Sequence, residues 1–367
     1  YLPDSFDPRS GNYNFGIDTP FNQPAAREGQ IGNPNVTWET SEKQNYAVEL
    51  KILDKKLGLK VDYFIENRSD ILTFRGTVPG FVAYNLPAVN IGKVQNKGFE
   101  VELNWDHQIN DNFSYWVNAN VSHAKNKIVF QDEVPQNEEY LLRTGHPVGQ
   151  PFGYIFDKFY NDTDTGNDAL PDHLYDLKPG DMVYKDLNGD GVINQDDQKA
   201  IGFPVYPMYN FGLNYGFKYK NFSLTMSWAG ATNTSRLLGD TYRTAFGATT
   251  NRSLLQYMAD GRWTPETAET ATYPRMTLTG RQNNNKNSDF WLRDASYIRL
   301  KNLEMGYNFK GDFLKSMGVS NLRAFLNGTN LITISELDIT DPESRTGADS
   351  VYPLTKLYNF GVRLNFL

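Results

Sequence analysis

The feature that most constrains this chain is an alternation of apolar and polar side chains with a period of two, recurring in segments of about ten residues. Tyr46, Val48, Leu50 and Ile52 alternate with Asn45, Ala47, Glu49 and Lys51. After the short "DKKLG" turn, Leu59, Val61, Tyr63 and Ile65 alternate with Lys60, Asp62, Phe64 and Glu66. The same reading gives strands over 99–105 and 113–121, joined by "DHQINDN", and over 211–217 and 222–228, joined by "KYKN". Leu303, Met305, Tyr307 and Phe309 lead through "KGDFLKSMGVS" to a strand over 322–334, and Tyr358, Phe360, Val362, Leu364 and Phe366 alternate up to the C-terminus. Ile298 and Leu300 are one residue out of phase with Leu303, which predicts a β-bulge between them.

About ten residues is the length a tilted strand needs to cross a bilayer. The connections alternate between short turns and long polar loops, over 1–42, 68–95, 125–207, 231–290 and 335–354. Outer-membrane barrels have this asymmetry. Strands with two such faces require a closed sheet in hydrocarbon, because an open edge there leaves backbone groups without partners. The expectation is therefore an all-β, transmembrane antiparallel β-barrel with long extracellular loops. The odd count, about nine, that begins in an outer loop makes residues 1–367 the C-terminal portion of a larger barrel. A soluble β-sandwich or β-helix also alternates, but loops of this length are uncommon in compact soluble domains.

Composition agrees. Aromatic residues make up 14% of the chain, with 22 Tyr and 23 Phe, while all hydrophobic residues together reach only 39%. A wall between lipid and water needs aromatics and alternation more than a large aliphatic core. No apolar run is long enough for a transmembrane helix. A net charge of -7 with scattered Lys and Arg argues against a nucleic-acid partner. The absence of Cys rules out disulfides and thiolate metal sites. The four His show no ligand spacing, and no nucleophile elbow, P-loop or dinucleotide fingerprint occurs, so no enzymatic activity is expected. Glu100 and Glu102 read as part of a wet face, and Trp263, Tyr273, Phe290 and Trp291 as loop packing.

One stretch has the spacing of a metal site. In "DLNGDGVINQDD", Asp186, Asn188, Asp190, the carbonyl of Val192, Asn194 and Asp197 occupy positions 1, 3, 5, 7, 9 and 12 of a calcium loop, with Gly191 at the sharp turn. Position 12 is Asp instead of Glu, and Pro179, Gly180, Gly202 and Pro204 leave no room for flanking helices. Three readings stand: a structural Ca2+ that stiffens the loop 125–207, a calcium switch, or an ion-free turn built by Asp, Asn and Gly.

The ending "NFGVRLNF" places Gly361, Leu364 and Phe366 in a Gly-x-x-apolar-x-aromatic order, the pattern of an outer-membrane insertion signal, here followed by Leu367. Several blocks resemble the C-terminal half of SusC-type (SusC/RagA) TonB-dependent outer-membrane transporters of the Bacteroidetes. These are "NPNVTWETSEKQNYAVEL" from Asn33, "NKGFEVELNW" from Asn96, "VGQPFGYIF" from Val148, the Pro179 block containing the calcium-like loop, "RWTPE" from Arg262, "SDFWLRDASYIRLKNLEMGYNF" from Ser288, "GTNLITI" from Gly328, and "DPE" from Asp341. The resemblance implies a barrel of about 22 strands, of which these are about the last nine, with a plug supplied by an N-terminal portion absent from this chain. It also implies a SusD-type surface lipoprotein, a TonB contact through that N-terminal portion, and a place in the Gram-negative outer membrane among its lipids. The function so implied is import of oligosaccharides or peptides. The alternative is a soluble, secreted calcium-binding β protein that binds glycans.

Overall fold

A computed structural model describes residues 3–7, 11–15, 21–29, 31–78, 81–82, 86–161, 170–246, 254–278, 282–344, 352 and 354–366. Nine long strands form one sheet: β1 (Thr40–Ile52), β2 (Leu57–Thr73), β3 (Val89–Asn110), β4 (Phe113–Phe130), β5 (Tyr209–Tyr219), β6 (Phe222–Thr232), β7 (Tyr297–Phe309), β8 (Val319–Ser335) and β9 (Leu357–Phe366). The sheet follows chain order, with β1 and β9 at its two ends. From β4 to β9 each strand pairs antiparallel with the next.

The alternation places two chemistries on two faces. On one, Leu213 pairs with Ala119 and Trp228, Trp228 with Leu300, and Leu300 with Ile332. On the other, one residue along, Asn214 pairs with Asn118 and Ser227, Ser227 with Asn302, and Asn302 with Thr329. The apolar face is not covered by the chain itself: Phe360 is 71% exposed and Phe366 72%. An apolar belt this continuous needs an apolar environment. The 11 residues of β5, at about 3.3 Å each and tilted by roughly 40°, rise about 28 Å, close to the height of a membrane-facing band. Near the turns the belt becomes aromatic, with Phe113 contacting Tyr115, Phe217 and Tyr219. No helix among the described residues is long and apolar enough to cross a membrane.

Turn chemistry explains the tight ends. Leu53, Asp54 and Lys55 between β1 and β2, and Lys220 between β5 and β6, have φ of 54°, 54°, 66° and 52°. Between β3 and β4, Asn110 Oδ1 accepts from the N–H groups of both Asn112 and Phe113. Successive turns are stitched together by Lys220 N–H to Asn112 O and Asn308 N–H to Asn221 O.

The expected bulge lies at Lys301. Leu300 faces Trp228 while Asn302 faces Ser227, which leaves Lys301 unopposed on β6. On β8 the same stretch faces an extra residue, and Asn330 there has φ 54°. Tyr297 and Arg299 before the bulge thereby share the polar face with Asn302 and Glu304 after it.

Several strands outrun their sequence limits. β2 reaches Thr73, β3 begins at Val89 and β4 runs to Phe130, so the connections are 74–88, 131–208, 233–296 and 336–356. In these extensions the backbone ladder continues while the side chains lose clean alternation, as in "SHAKNKIVF" from Ser122. A strand segment with water on both faces needs no apolar side. Residues 1–42, expected to be one loop, contain short antiparallel pairs, Phe6–Asp7 with Arg27–Glu28 and Asn12–Phe15 with Phe21–Pro24.

The chain divides into two compact units. The first holds residues 1–45, 64–97 and 125–148. In it Asn90 bonds Thr37 reciprocally, Oδ1 accepting from the Thr37 N–H at 3.0 Å and Nδ2 donating to the Thr37 carbonyl at 2.9 Å. Asn33 Nδ2 donates to Ala88 O at 2.9 Å. The second unit holds 46–63, 98–124 and 149–367, and its hydrophobic core lies in the connections: Tyr154, Met182, Tyr184, Ile193, Leu238, Met258, Tyr273 and Trp291 are all buried. Loops of this length in water need a core of their own.

The two faces of the sheet give a direct test in the full-length protein. Leu213 is next to the midpoint of β5 on the apolar face, and Leu213→Arg is expected to cost about 2–4 kcal/mol. Asn214→Arg, one residue on, is expected to cost far less. The measurement is the heat-modifiable folded fraction and urea midpoint of each variant in detergent; equal losses would contradict the facing assigned here.

Candidate functional site

Two features of the second unit bear on function: the calcium-like loop, and a polar cavity where the connections meet the polar face of the sheet.

The calcium-like loop is folded on its own N–H groups. Asp186 accepts from Gly189 N–H at 2.7 Å and from Gly191 N–H at 2.8 Å. Asn188 Oδ1 accepts from Asp190 N–H at 3.1 Å, and Asp190 Oδ1 from Val192 N–H at 2.8 Å. Asp197, 0% exposed, accepts from Leu187 N–H at 2.7 Å and Asn194 N–H at 2.8 Å. Asn194 and Asp197, expected at ligand positions 9 and 12, form a capping box around the 3-10 turn Gln195–Asp197. Val192 and Ile193 form a short parallel pair with Asp172 and His173.

In chemistry the set fits a hard cation: carboxylate and amide oxygens in the right order, each with a second lone pair. The Asn188 amide and the Val192 N–H hold the Asp190 carboxyl below the usual range, so it is charged at neutral pH. In geometry, no group of three or more His, Asp or Glu among the described residues converges as a metal cage. A bound ion would need Asp186, Asp190 and Asp197 to converge more closely than they do here.

The loop is anchored by a buried polar network that sequence reading missed. Asn284 accepts from Met182 N–H at 2.9 Å and donates to Asp181 at 2.8 Å, and Asn283 donates to Met182 O at 2.7 Å. Arg275 donates to Asp181 through Nε at 2.6 Å and Nη2 at 3.2 Å. Tyr184 Oη donates to Asn283 O at 2.8 Å, and Trp291 Nε1 to Asn284 O at 2.7 Å. Gly180 has φ +87°, and a Cβ there would lie 2.6 Å from the Trp263 ring. Trp263, Tyr273 and Trp291 are buried and Phe290 packs against the same core, as the loop-packing reading expects.

The cavity, of about 610 Å³, is lined by Tyr206, Asn210, Thr234, Arg236, Tyr297 and Glu343, among others. Asn210, Ala231 and Tyr297 are on one row of the polar face, at the loop ends of β5, β6 and β7. Beside it, Arg299 is 1% exposed, donates to Thr333 Oγ1 at 2.9 Å, pairs with Asp341 at 2.7 Å and also pairs with Glu343. Lys301, delivered by the bulge, pairs with Glu343 at 2.7 Å. The "DPE" segment is thus clamped onto the sheet. Nothing in the alternation marks this buried arginine as an anchor.

At the C-terminus, Leu364 and Phe366 of β9 are exposed on the apolar face, whereas Gly361 pairs with Phe325, whose ring a Cβ at 361 would meet at 2.3 Å. The three residues of the ending therefore do not share a face.

A sheet with an uncovered apolar belt, an aromatic rim, short turns at one end and a loop body at the other is the wall of a transmembrane β-barrel. The family model described as TonB dependent receptor-like, beta-barrel matches residues 3–331, and the chain belongs to that family. It is 27% identical over 363 residues to TonB-dependent receptor P3 of Formosa agariphila, covering 92% of this chain and 35% of that protein. It is 23% identical over 351 residues to TonB-dependent receptor SusC of Bacteroides thetaiotaomicron, covering 91% of this chain and 32% of that one. The solved RagAB peptide importer in its open-open state has the same fold, with a TM-score of 0.71 at 20% identity over 100% of this chain and 38% of that chain. The chain thus spans about a third of the length of the curated relatives it matches. These relatives are receptors and importers, not enzymes, and the soluble alternative is set aside.

The loop body carries a pH-sensitive contact at His173. His173 Nδ1 is 2.9 Å from Pro171 O, and its Nε2 accepts from Tyr184 N–H at 3.3 Å, an arrangement that needs the neutral ring. Burial lowers the His173 pKa, and the Pro171 carbonyl offsets this only in part. A depressed histidine pKa means the folded loop resists a proton that the unfolded one accepts. Its contribution is full above the unfolded value and lost as pH falls through the folded one. Limited proteolysis of the full-length protein is expected to cut 149–208 faster at pH 5 than at pH 7, with a flat profile in His173→Gln. Equal rates in the unmodified protein would refute this contact.

Proposed function

We propose that this chain forms about the last nine strands of a TonB-dependent outer-membrane importer for oligosaccharides or peptides, working with a SusD-type surface lipoprotein. The observation that carries the reading is the pairing of a lipid-type belt on one face with a hydrophilic face rich in Asn, Ser and Thr on the other, beneath a body of folded loops. The belt faces outer-membrane lipid, the long connections face outward, and the polar face lines the passage. The N-terminal portion of the same protein supplies the plug, the remaining strands and the TonB contact. TonB-dependent receptor SusC and the RagAB peptide importer, to which the chain is similar, support the transport class, and the latter's name supports peptide as one of the two cargo chemistries. Leu364 and Phe366 on the apolar face of β9 serve as the part of the insertion signal read at the membrane, with Gly361 making room for Phe325.

Cells expressing the full-length protein are expected to accumulate labelled oligosaccharides or short peptides in a TonB-dependent manner. The protein should co-purify with a surface lipoprotein and migrate heat-modifiably on a gel. A full-length protein that stays monodisperse in water without detergent, or that takes up neither cargo class, would overturn the reading.

The loop Asp186–Asp197 is proposed to bind one structural Ca2+ through Asp186, Asn188, Asp190, the Val192 carbonyl, Asn194 and Asp197. The ion would relieve the repulsion of its three carboxylates and stiffen the connection 131–208. Calcium is expected to give a measurable heat of binding and to slow proteolysis of this connection, with both effects lost in Asp190→Ala. No heat and no protection in the unmodified protein would leave the ion-free turn.

A further inference from the structure

The cavity on the polar face contains a cation that no carboxylate among the described residues pairs with. Around it stand three cations, Arg236, Arg299 and Lys301, and two carboxylates, Asp341 and Glu343. Both carboxylates are engaged: Asp341 by Arg299, and Glu343 by Arg299, by Lys301 and by the Tyr297 hydroxyl at 2.8 Å. Arg236 is left over. It is only 9% exposed, its Nη2 donates to Pro342 O at 3.2 Å, and its buried Nε has no partner. Among the described residues no carboxylate pairs with it.

The local strand brings no counter-charge to the guanidinium. Arg236 lies in the pair Ser235–Leu237 with Leu292–Asp294, and the register sets Arg293 directly opposite. A buried, unpaired charge is costly. Burial lowers the Arg236 pKa, and the attraction of Asp341 offsets this only in part. Sites that keep such a charge ordinarily hold it for a partner of opposite sign.

The surroundings have the form of a subsite. Its volume is within the range of small-ligand pockets. Tyr206 at the rim is 79% exposed, a flat surface for a sugar or peptide plane. Asn210 adds an amide, and Thr234 adds a hydroxyl already oriented by its 2.8 Å bond to Val205 O.

We propose that this cavity is a recognition subsite for a carboxylate carried by the cargo, with Arg236 as its counter-charge and Tyr206, Asn210 and Thr234 as its walls. The proposal rests on the transport reading and narrows it to acidic cargo. The carboxylate can belong to a peptide terminus or to an acidic sugar, and the experiment separates the two. A guanidinium takes either one through two parallel N–H···O bonds.

The test uses the full-length protein in detergent with two pairs of probes. One is a random peptide library with free C-terminal carboxylates against the same library amidated; the other is oligogalacturonate against its methyl ester. Retained material is counted by mass spectrometry. In at least one pair the carboxylate form is expected to be retained at least tenfold over its neutral form. Arg236→Gln should bring that ratio close to one, and Arg236→Lys should preserve part of it. Both variants should show unchanged heat-modifiable migration, which separates loss of charge from loss of fold. Equal retention of charged and neutral forms, or a preference that survives Arg236→Gln, overturns the subsite and leaves the transport reading intact. Retention of neither pair, combined with no cargo uptake in cells, overturns both.

Discussion

A strand that crosses hydrocarbon has no water to satisfy its N–H and C=O groups, so every one must find a partner in a neighbouring strand. That requirement produces the ladder from β1 to β9, and the rest of the structure follows from it. Neighbours in sequence become neighbours in the sheet, since a hairpin is the shortest way to satisfy a strand. The side chains, freed from backbone duty, divide by parity into a belt that meets lipid and a face that meets water. The belt can remain uncovered by protein because its solvent is the membrane.

The same requirement sends the conventional hydrophobic core elsewhere. The residues of the second unit that are buried by their own chain are mostly in the connections, around Met182, Tyr184 and Trp291. This body is held by polar anchors as much as by apolar contact. Asp181 is satisfied by Arg275 and Asn284, and the backbone of Met182 by Asn283 and Asn284. A buried amide that bonds a specific N–H or carbonyl fixes one arrangement where apolar contact alone tolerates several. It is this fixed arrangement that anchors the calcium-like loop, which follows it directly in the chain.

What could be read beforehand follows from the range of the interactions. The nine strands, their short turns and the bulge near Leu300 depend on residues within a few positions of one another, and alternation reports them directly. The loop ends of β2, β3 and β4 do not show in alternation because their backbone ladder continues where the side chains no longer divide into an apolar and a polar face. The loop core was hidden for another reason: Met182 and Asn284 are separated by 102 residues, and "NNNKN" by itself looks like solvated linker. For the calcium-like loop, spacing revealed which oxygens are gathered, but not that Asn194 and Asp197 also cap a turn. Arg236 carried no signal at all, because an unpaired charge is a property of everything around it.

The bulge at Lys301 has a consequence for how such a wall can change. Sidedness in a strand is a count of residues, and an extra residue shifts the count by one. Below Lys301, Asn302 and Glu304 face inward; above it, Tyr297 and Arg299 do the same only because the count has been reset. In an unbroken strand that kept Asn302 on the polar face, Ile298 and Leu300 would join it there, and the Arg299 guanidinium would be aimed at the apolar side. The chemistry presented at the loop-end rim of the polar face is therefore set by parity as well as by residue identity. An insertion or deletion of a single residue could exchange that whole rim at once, while every hydrophobic position nearer the turns stays where it is.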